Sequence, residues 1–198
     1  MKVSIIFGLV LAIFFLPIGV GAATPLNTVE TNVSRLLTVL GDPGLSGEEG
    51  REKKKETIRS ISDALFDFYA LSRRTLGPNW KKFNPDQQKE FIVLYRKLLE
   101  SIYMDRLLQY QDEKVRFIKE VSLSEKRAEV HSAIVAASGA IPIHYKMYLK
   151  DGVWKTYDLI VENVSLVGNY RTQFNSLLVK NPPEKVLEVI REKVKDYL

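Results

Sequence analysis

The sequence predicts an α+β fold: an antiparallel four-stranded β-sheet meander with N-terminal and C-terminal helices packed on one face. Three observations predict it. Apolar residues recur at spacings of three and four over residues 25–110 and again after 169, the period switches to two over 115–161, and Asp151-Gly152 lies between two alternating runs. Helices, then strands, then helices is the order of a sheet whose helices are segregated to one side.

The first 23 residues read as a secretory signal peptide. Lys2 forms a minimal positive region, an apolar stretch runs from Val3, and Pro17, Gly19, Gly21, Ala22 and Ala23 follow, with cleavage expected after Ala23. The alternative is an uncleaved anchor, because Val3 to Val20 is 18 residues long and just reaches spanning length. Helix-breaking Pro and Gly followed by small residues suit a peptidase better. Cleavage leaves residues 24–198 as one domain of 175 residues with a net charge of +4, since Lys2 is the only charged residue removed.

Leu26, Val29, Val33, Leu36, Leu37 and Leu40 stand at helical spacing between Pro25 and Gly41, which predicts the first helix. Ser46 with Glu49 has the spacing of a capping box for a second. That helix carries a charged half, residues 48–56, then Ile58, Ile61, Leu65, Phe68 and Leu71 on one stripe until Gly77-Pro78 stops it. Asn84-Pro85-Asp86-Gln87 combines an N-cap, a first-turn proline and an acid, so a third helix starts there and runs to about Tyr110. Its stripe of Phe91, Leu94, Leu98, Ile102 and Leu107, widened by Tyr95, Leu99 and Tyr103, needs apolar partners on two sides.

Strands are expected at 115–123, 128–138, 141–149 and 153–161. A two-residue turn at Asp151-Gly152 sets Leu149 opposite Trp154, Met147 opposite Thr156, Tyr145 opposite Asp158 and Ile143 opposite Ile160. One face then holds Ile143, Tyr145, Met147, Leu149, Trp154 and Ile160, and the other is wet. Asn169 is positioned to cap a helix carrying Tyr170, Phe174, Leu177 and Leu178, and a last helix begins near Glu184.

The residues offer little chemistry. The 198 residues include no cysteine and only two histidines, which excludes disulfide scaffolds, thiol nucleophiles and any zinc site needing more than two Cys or His ligands. No glycine-rich phosphate loop, HExxH or GxSxG sequence is present. His131 and His144 fall on neighbouring strands without a Ser, Cys, Asp or Glu at the spacing of a known catalytic or metal motif, which reads as a structural or surface role. Asp158 points to the apolar face in this register, either as a buried carboxylate satisfied by backbone amides or Arg171, or as a proton-transfer group in a pocket. The net charge of +5 invites a nucleic-acid reading, but the export signal and the missing RRM signatures speak against it. Lys53 to Lys55, Lys81 and Lys82 either meet anionic headgroups or an acidic partner, or merely solubilise the surface. What remains is an excess of apolar bulk, including 17 aromatic residues after residue 23.

Ile58-Arg59, Phe66-Asp67-Phe68, Leu76-Gly77-Pro78-Asn79-Trp80, Gln87 with Phe91, Leu98-Leu99 with Tyr103, Trp154-Lys155-Thr156-Tyr157-Asp158, Val164-Ser165-Leu166 and Asn169-Tyr170-Arg171-x-x-Phe174 form an ordered series. Over residues 28–195 this series resembles the MlaC family, the toluene-tolerance auxiliary proteins that serve as periplasmic phospholipid-binding components of a lipid-transport ABC system. The charged stretch from Arg51 to Glu56 is outside the pattern. The resemblance implies a non-enzymatic shuttle with phospholipid as its bound ligand and no cofactor or metal. It also implies a monomer that meets an outer-membrane lipoprotein complex and an inner-membrane MCE-domain ABC transporter. A hopanoid-associated branch is similar to this family too, and a protein-binding adaptor of the envelope is the alternative from another class. On this reading the apolar pocket between helices and sheet is lined by Leu65, Phe68, Leu71, Phe91, Leu94, Leu98, Ile102, Tyr145, Met147, Trp154, Ile160 and Phe174.

Overall fold

The computed structural model describes residues 23–110, 113–136 and 139–195. The expected export signal, residues 1–23, lies outside the described residues except for Ala23. Along the described chain run α1 (Pro25–Leu40), α2 (Gly47–Leu65), α3 (Phe68–Leu76), a 3-10 helix (Gly77–Lys82) and α4 (Pro85–Leu108). The strands β1 (Lys114–Ser124), β2 (Arg127–Ala136), β3 (Gly139–Lys150), β4 (Val153–Val161) and β5 (Val164–Ser165) follow, then α5 (Leu166–Leu178) and α6 (Pro183–Lys195). The sheet is an antiparallel meander in the order β1-β2-β3-β4-β5. Among the described residues no helix is long and apolar enough to cross a membrane.

Local chemistry accounts for most ends. Thr24 caps α1 through Asn27 N–H, and Asn84 caps α4 in a full capping box with Gln87. Ser46 stands at the N-cap of α2 but makes no side-chain cap bond, unlike the box expected with Glu49. The expected single helix from Ser46 to Gly77 is two helices. Phe66 turns extended, its segment pairs with Thr156 of β4, and Asp67 restarts the helix by capping Ala70 N–H at 2.9 Å. A break that donates Asp67 N–H to the Thr156 carbonyl satisfies backbone groups that helix continuation would have used, so the amphipathic stripe gave no sign of it.

At the Asp151-Gly152 turn φ is +50° and +80°, as a two-residue primed turn requires. From there Lys150↔Val153, Leu149↔Trp154 and Met147↔Thr156 pair as expected, but the next pair is Lys146↔Asp158. Tyr157 is the extra residue of a β-bulge. The bulge moves Asp158 and Ile160 off the apolar face, because Tyr145 now opposes Leu159 and His144 opposes Ile160. A second primed-type turn at Glu162 and Asn163, with φ of +49° and +66°, adds the fifth strand. Ser165 rather than Asn169 caps α5, its Oγ accepting from Gly168 N–H at 2.9 Å.

The helices divide into two sets. α1 and the end of α2 cover one sheet face, whereas α3 to α6 form their own apolar core beside the β4 edge.

Candidate functional site

The helical core is built around aromatic rings. Tyr95 and Phe91 of α4 meet Tyr170 and Phe174 of α5 with centroids 5.2 to 5.7 Å apart, mostly edge-on, and Phe83 adds an edge contact to Phe91 at 5.8 Å. In the pairs between α4 and α5 the positive edge of one ring meets the negative face of the other, as the ring quadrupoles prefer. Burial drives the Tyr95 hydroxyl far above its ordinary range, and it keeps one partner, accepting from Thr75 Oγ1 at 3.3 Å. Burial likewise pushes Tyr170 up to about 12. α6 closes this core with Val186, Leu187, Ile190 and Val194.

The layer between sheet and helices is mostly aliphatic, with Tyr145 buried in it. Val29 and Val33 of α1 and Leu65 of α2 pack on Val130, Ile143, Tyr145 and Met147, with Trp154 and Leu159 partly buried at the rim. Polar atoms are threaded through it. Thr156 Oγ1, opposite Met147, and Asn32 Oδ1 on α1 are buried without a hydrogen-bond partner. Tyr145 is pushed up to about 12 by burial and is hydrogen-bonded to Ser132, whose Oγ also donates to the Ile143 carbonyl at 3.4 Å.

The Phe66-Asp67-Phe68 elbow joins the two regions. Phe66 packs against both apolar clusters and also lines a 380 Å³ cleft with Phe68, Lys150 and Lys155. Burial opposes the Asp67 charge, yet hydrogen bonds from Lys150, Tyr148 and Ala70 N–H hold its carboxyl below the usual carboxylate range. Lys150 donates at 2.7 Å and is itself raised by that contact; Tyr148 is raised by burial and then by Asp67. Lys155 donates to the Asp63 carbonyl at 3.0 Å, near the end of α2. The cleft is therefore lined by both charged and aromatic side chains.

The twelve expected pocket residues are distributed unequally. Leu65, Tyr145, Met147 and Trp154 come together in the sheet layer. Leu71, Phe91, Leu98 and Phe174 are buried in the helical core, with Leu94 and Ile102 packed on its margin. Phe68 is half-buried in the cleft, under the Arg96 guanidinium at 5.1 Å. Ile160 is on the other side of the sheet, a consequence of the Tyr157 bulge. The bulge itself is held where Arg74 lies 4.0 Å over the Tyr157 ring.

Asp158 is a cap rather than a proton-transfer group facing the apolar layer. Its carboxylate accepts from Ser165 Oγ at 2.7 Å and Val167 N–H at 3.1 Å, at the start of α5. Arg171, the other expected partner, instead donates from Nε to the Arg74 carbonyl at 3.0 Å, where Gly77 at φ +54° lets the chain turn closely beside it. The sequence reading missed Val29, Val33 and Val130 as parts of the layer. Their periodicity was legible, but only the packing of α1 on β2 shows that they share one space with Tyr145.

The model of the MlaC protein family matches residues 30–192. The chain belongs to the MlaC family. Toluene tolerance protein ttg2D of Pseudomonas putida is 24% identical over 178 residues, covering 87% of this chain and 81% of that protein. Intermembrane phospholipid transport system binding protein MlaC of Haemophilus influenzae is 28% identical over 104 residues, 50% of this chain and 48% of its own length. The fold also matches the structure of a phospholipid-binding protein from Ralstonia solanacearum in complex with a phospholipid. That match has a TM-score of 0.74 and 21% identity, over 86% of this chain and 96% of the other. MlaC-family membership makes this a binding and transport protein, not an enzyme.

Proposed function

We propose that this chain is a periplasmic phospholipid carrier, exported by residues 1–23 and acting as a monomeric domain over 24–198. It moves lipid between an outer-membrane lipoprotein complex and an inner-membrane MCE-domain ABC transporter. The observation that carries the reading is the aliphatic layer between α1, Leu65 and the sheet, in a chain of the MlaC family. Leu65, Tyr145, Met147 and Trp154 face the acyl tails there, and the helical core of Leu71, Phe91, Leu94, Leu98, Ile102 and Phe174 forms the wall behind Phe66. The charged cleft beside Phe66 and Phe68 supplies the polar mouth for a headgroup.

Two acyl chains carry roughly 30 methylenes, and at about 0.8 kcal/mol each their exposure to water would cost on the order of 25 kcal/mol. Capture through water is thereby excluded. The carrier docks on a donor, takes the tails as α1 and the end of α2 part from the sheet, and needs only an affinity close to that of the membrane.

Native mass spectrometry of the full-length product purified from a cell envelope tests this. The expected spectrum contains one phospholipid mass per chain; repeated recovery of lipid-free protein that also takes up none from phosphatidylethanolamine vesicles would overturn it. A hopanoid mass in place of a phospholipid would reassign the ligand.

A further inference from the structure

The chain's two histidines stand directly opposite each other, His131 on β2 and His144 on β3, and the neighbouring pair along the same face is Glu129 with Lys146. Val130 and Tyr145, which alternate with them, are in the apolar layer. The histidines therefore occupy the other sheet face, outside the proposed lipid function. Their rings stack with centroids 3.9 Å apart and planes 10° from parallel. His131 Nε2 lies 3.3 Å from Glu129 Oε2, and one ligand atom from each of Glu129, His131 and His144 falls within 4.8 Å of the others. All three side chains are half-buried.

We propose that Glu129, His131 and His144 form a site for a borderline-soft divalent transition-metal ion of the zinc class, with water completing its coordination. Two imidazoles and a carboxylate match the ligand preference of zinc and its copper and nickel neighbours, whereas magnesium and calcium want oxygen ligands throughout. Metal bonds of about 2.0–2.2 Å put tetrahedral ligand atoms about 3.4 Å apart, so binding draws the three ligand atoms together by up to about 1.4 Å and turns the two rings out of their parallel stack to aim one nitrogen each at the ion. The backbone already does the larger part. Cross-strand pairing fixes His131 against His144, and the two-residue strand repeat brings Glu129 to the same face. Two cations oppose the ion: Lys146, with Nζ 4.0 Å from Glu129 Oε1, and Lys119, paired with His131 in the β1–β2 register. Lys146 is one-third exposed and free to turn to water. A bound ion would link β2 to β3.

Calorimetric titration of the untagged mature chain with zinc chloride, magnesium chloride as control, tests the site together with visible absorption of the cobalt(II) form. One zinc per chain is expected, with no magnesium heat and a cobalt ligand-field band. His131→Gln and His144→Gln are each expected to weaken zinc binding by more than about ten-fold. Lys146→Met should tighten it. Absence of stoichiometric zinc binding, or affinity unchanged in the double His131→Gln, His144→Gln variant, overturns the proposal. Circular dichroism checks each variant's fold, and if a histidine variant is unfolded the isosteric Glu129→Gln decides by the same criterion.

Discussion

The helical core and the sheet layer lie on either side of Phe66 and are made of different material. In the core, Phe91, Tyr95, Tyr170 and Phe174 interlock edge to face, and Tyr95 has a partner for its hydroxyl. Such ring pairs add about 0.5–1.5 kcal/mol each beyond burial and fix relative orientation. In the layer, valines and a methionine pack without directional contacts, and Thr156 Oγ1 and Asn32 Oδ1 are left unpaired, against Ser72 Oγ of α3 on the helical side among the described residues. A buried hydroxyl or amide without a partner costs roughly 1–3 kcal/mol, so this interface gives back less when it forms and costs less to open. The contrast assigns rigidity to one region and accommodation of a ligand to the other.

Breaking the rigid half should have the largest effect. Phe91→Ala is expected to lower unfolding free energy by about 3–5 kcal/mol in chemical denaturation, and to lose lipid only in proportion to the unfolded fraction. A folded Phe91→Ala protein devoid of lipid would overturn the assignment. In the layer, Val33→Trp should cost about 1–3 kcal/mol by overpacking and abolish lipid uptake while unfolding stays cooperative.

The elbow between the halves responds to pH. Asp67 is held below its ordinary 3.8, so its contribution is present above that value and disappears as pH falls through the depressed one. Lys150 is raised above 10.5, so its share is present below that pH and disappears as pH rises through the raised value. Asp67→Asn should therefore flatten both limbs of a stability curve and lower its plateau by about 1–3 kcal/mol, the lost hydrogen bonds of a carboxylate. Asn84→Ala, which removes the α4 cap, should cost about 1 kcal/mol and leave lipid binding unchanged. The smallest effect belongs to Thr156→Val. Removing an unpaired hydroxyl should be neutral or stabilising within about 1 kcal/mol in thermal melts, and a large loss instead would show that the layer is not the weaker side.

Much of the fold was legible because its signals are local. The Asn84-Pro85-Asp86-Gln87 start, the Asp151-Gly152 turn and the first pairs after it all follow from a few adjacent residues. The Phe66 break and the Tyr157 bulge were not, since each is stabilised by a distant partner: the β4 backbone for Phe66, and Arg74 and the α5 start for the bulge region. One extra residue at Tyr157 was enough to reverse the side on which Asp158 and Ile160 point.

By itself the sequence determined the α+β class, the helix starts and turns, the want of thiol chemistry and the family resemblance, because composition, period and capping are properties of neighbours in the chain. Only the tertiary structure decided that the inner apolar residues divide into an aromatic core and an aliphatic layer, that Asp158 caps a helix, and that Glu129 joins the two histidines. Those depend on residues far apart in sequence meeting at one register, and a 3.6 or 2.0 period says which side of an element is apolar but not what it is packed against.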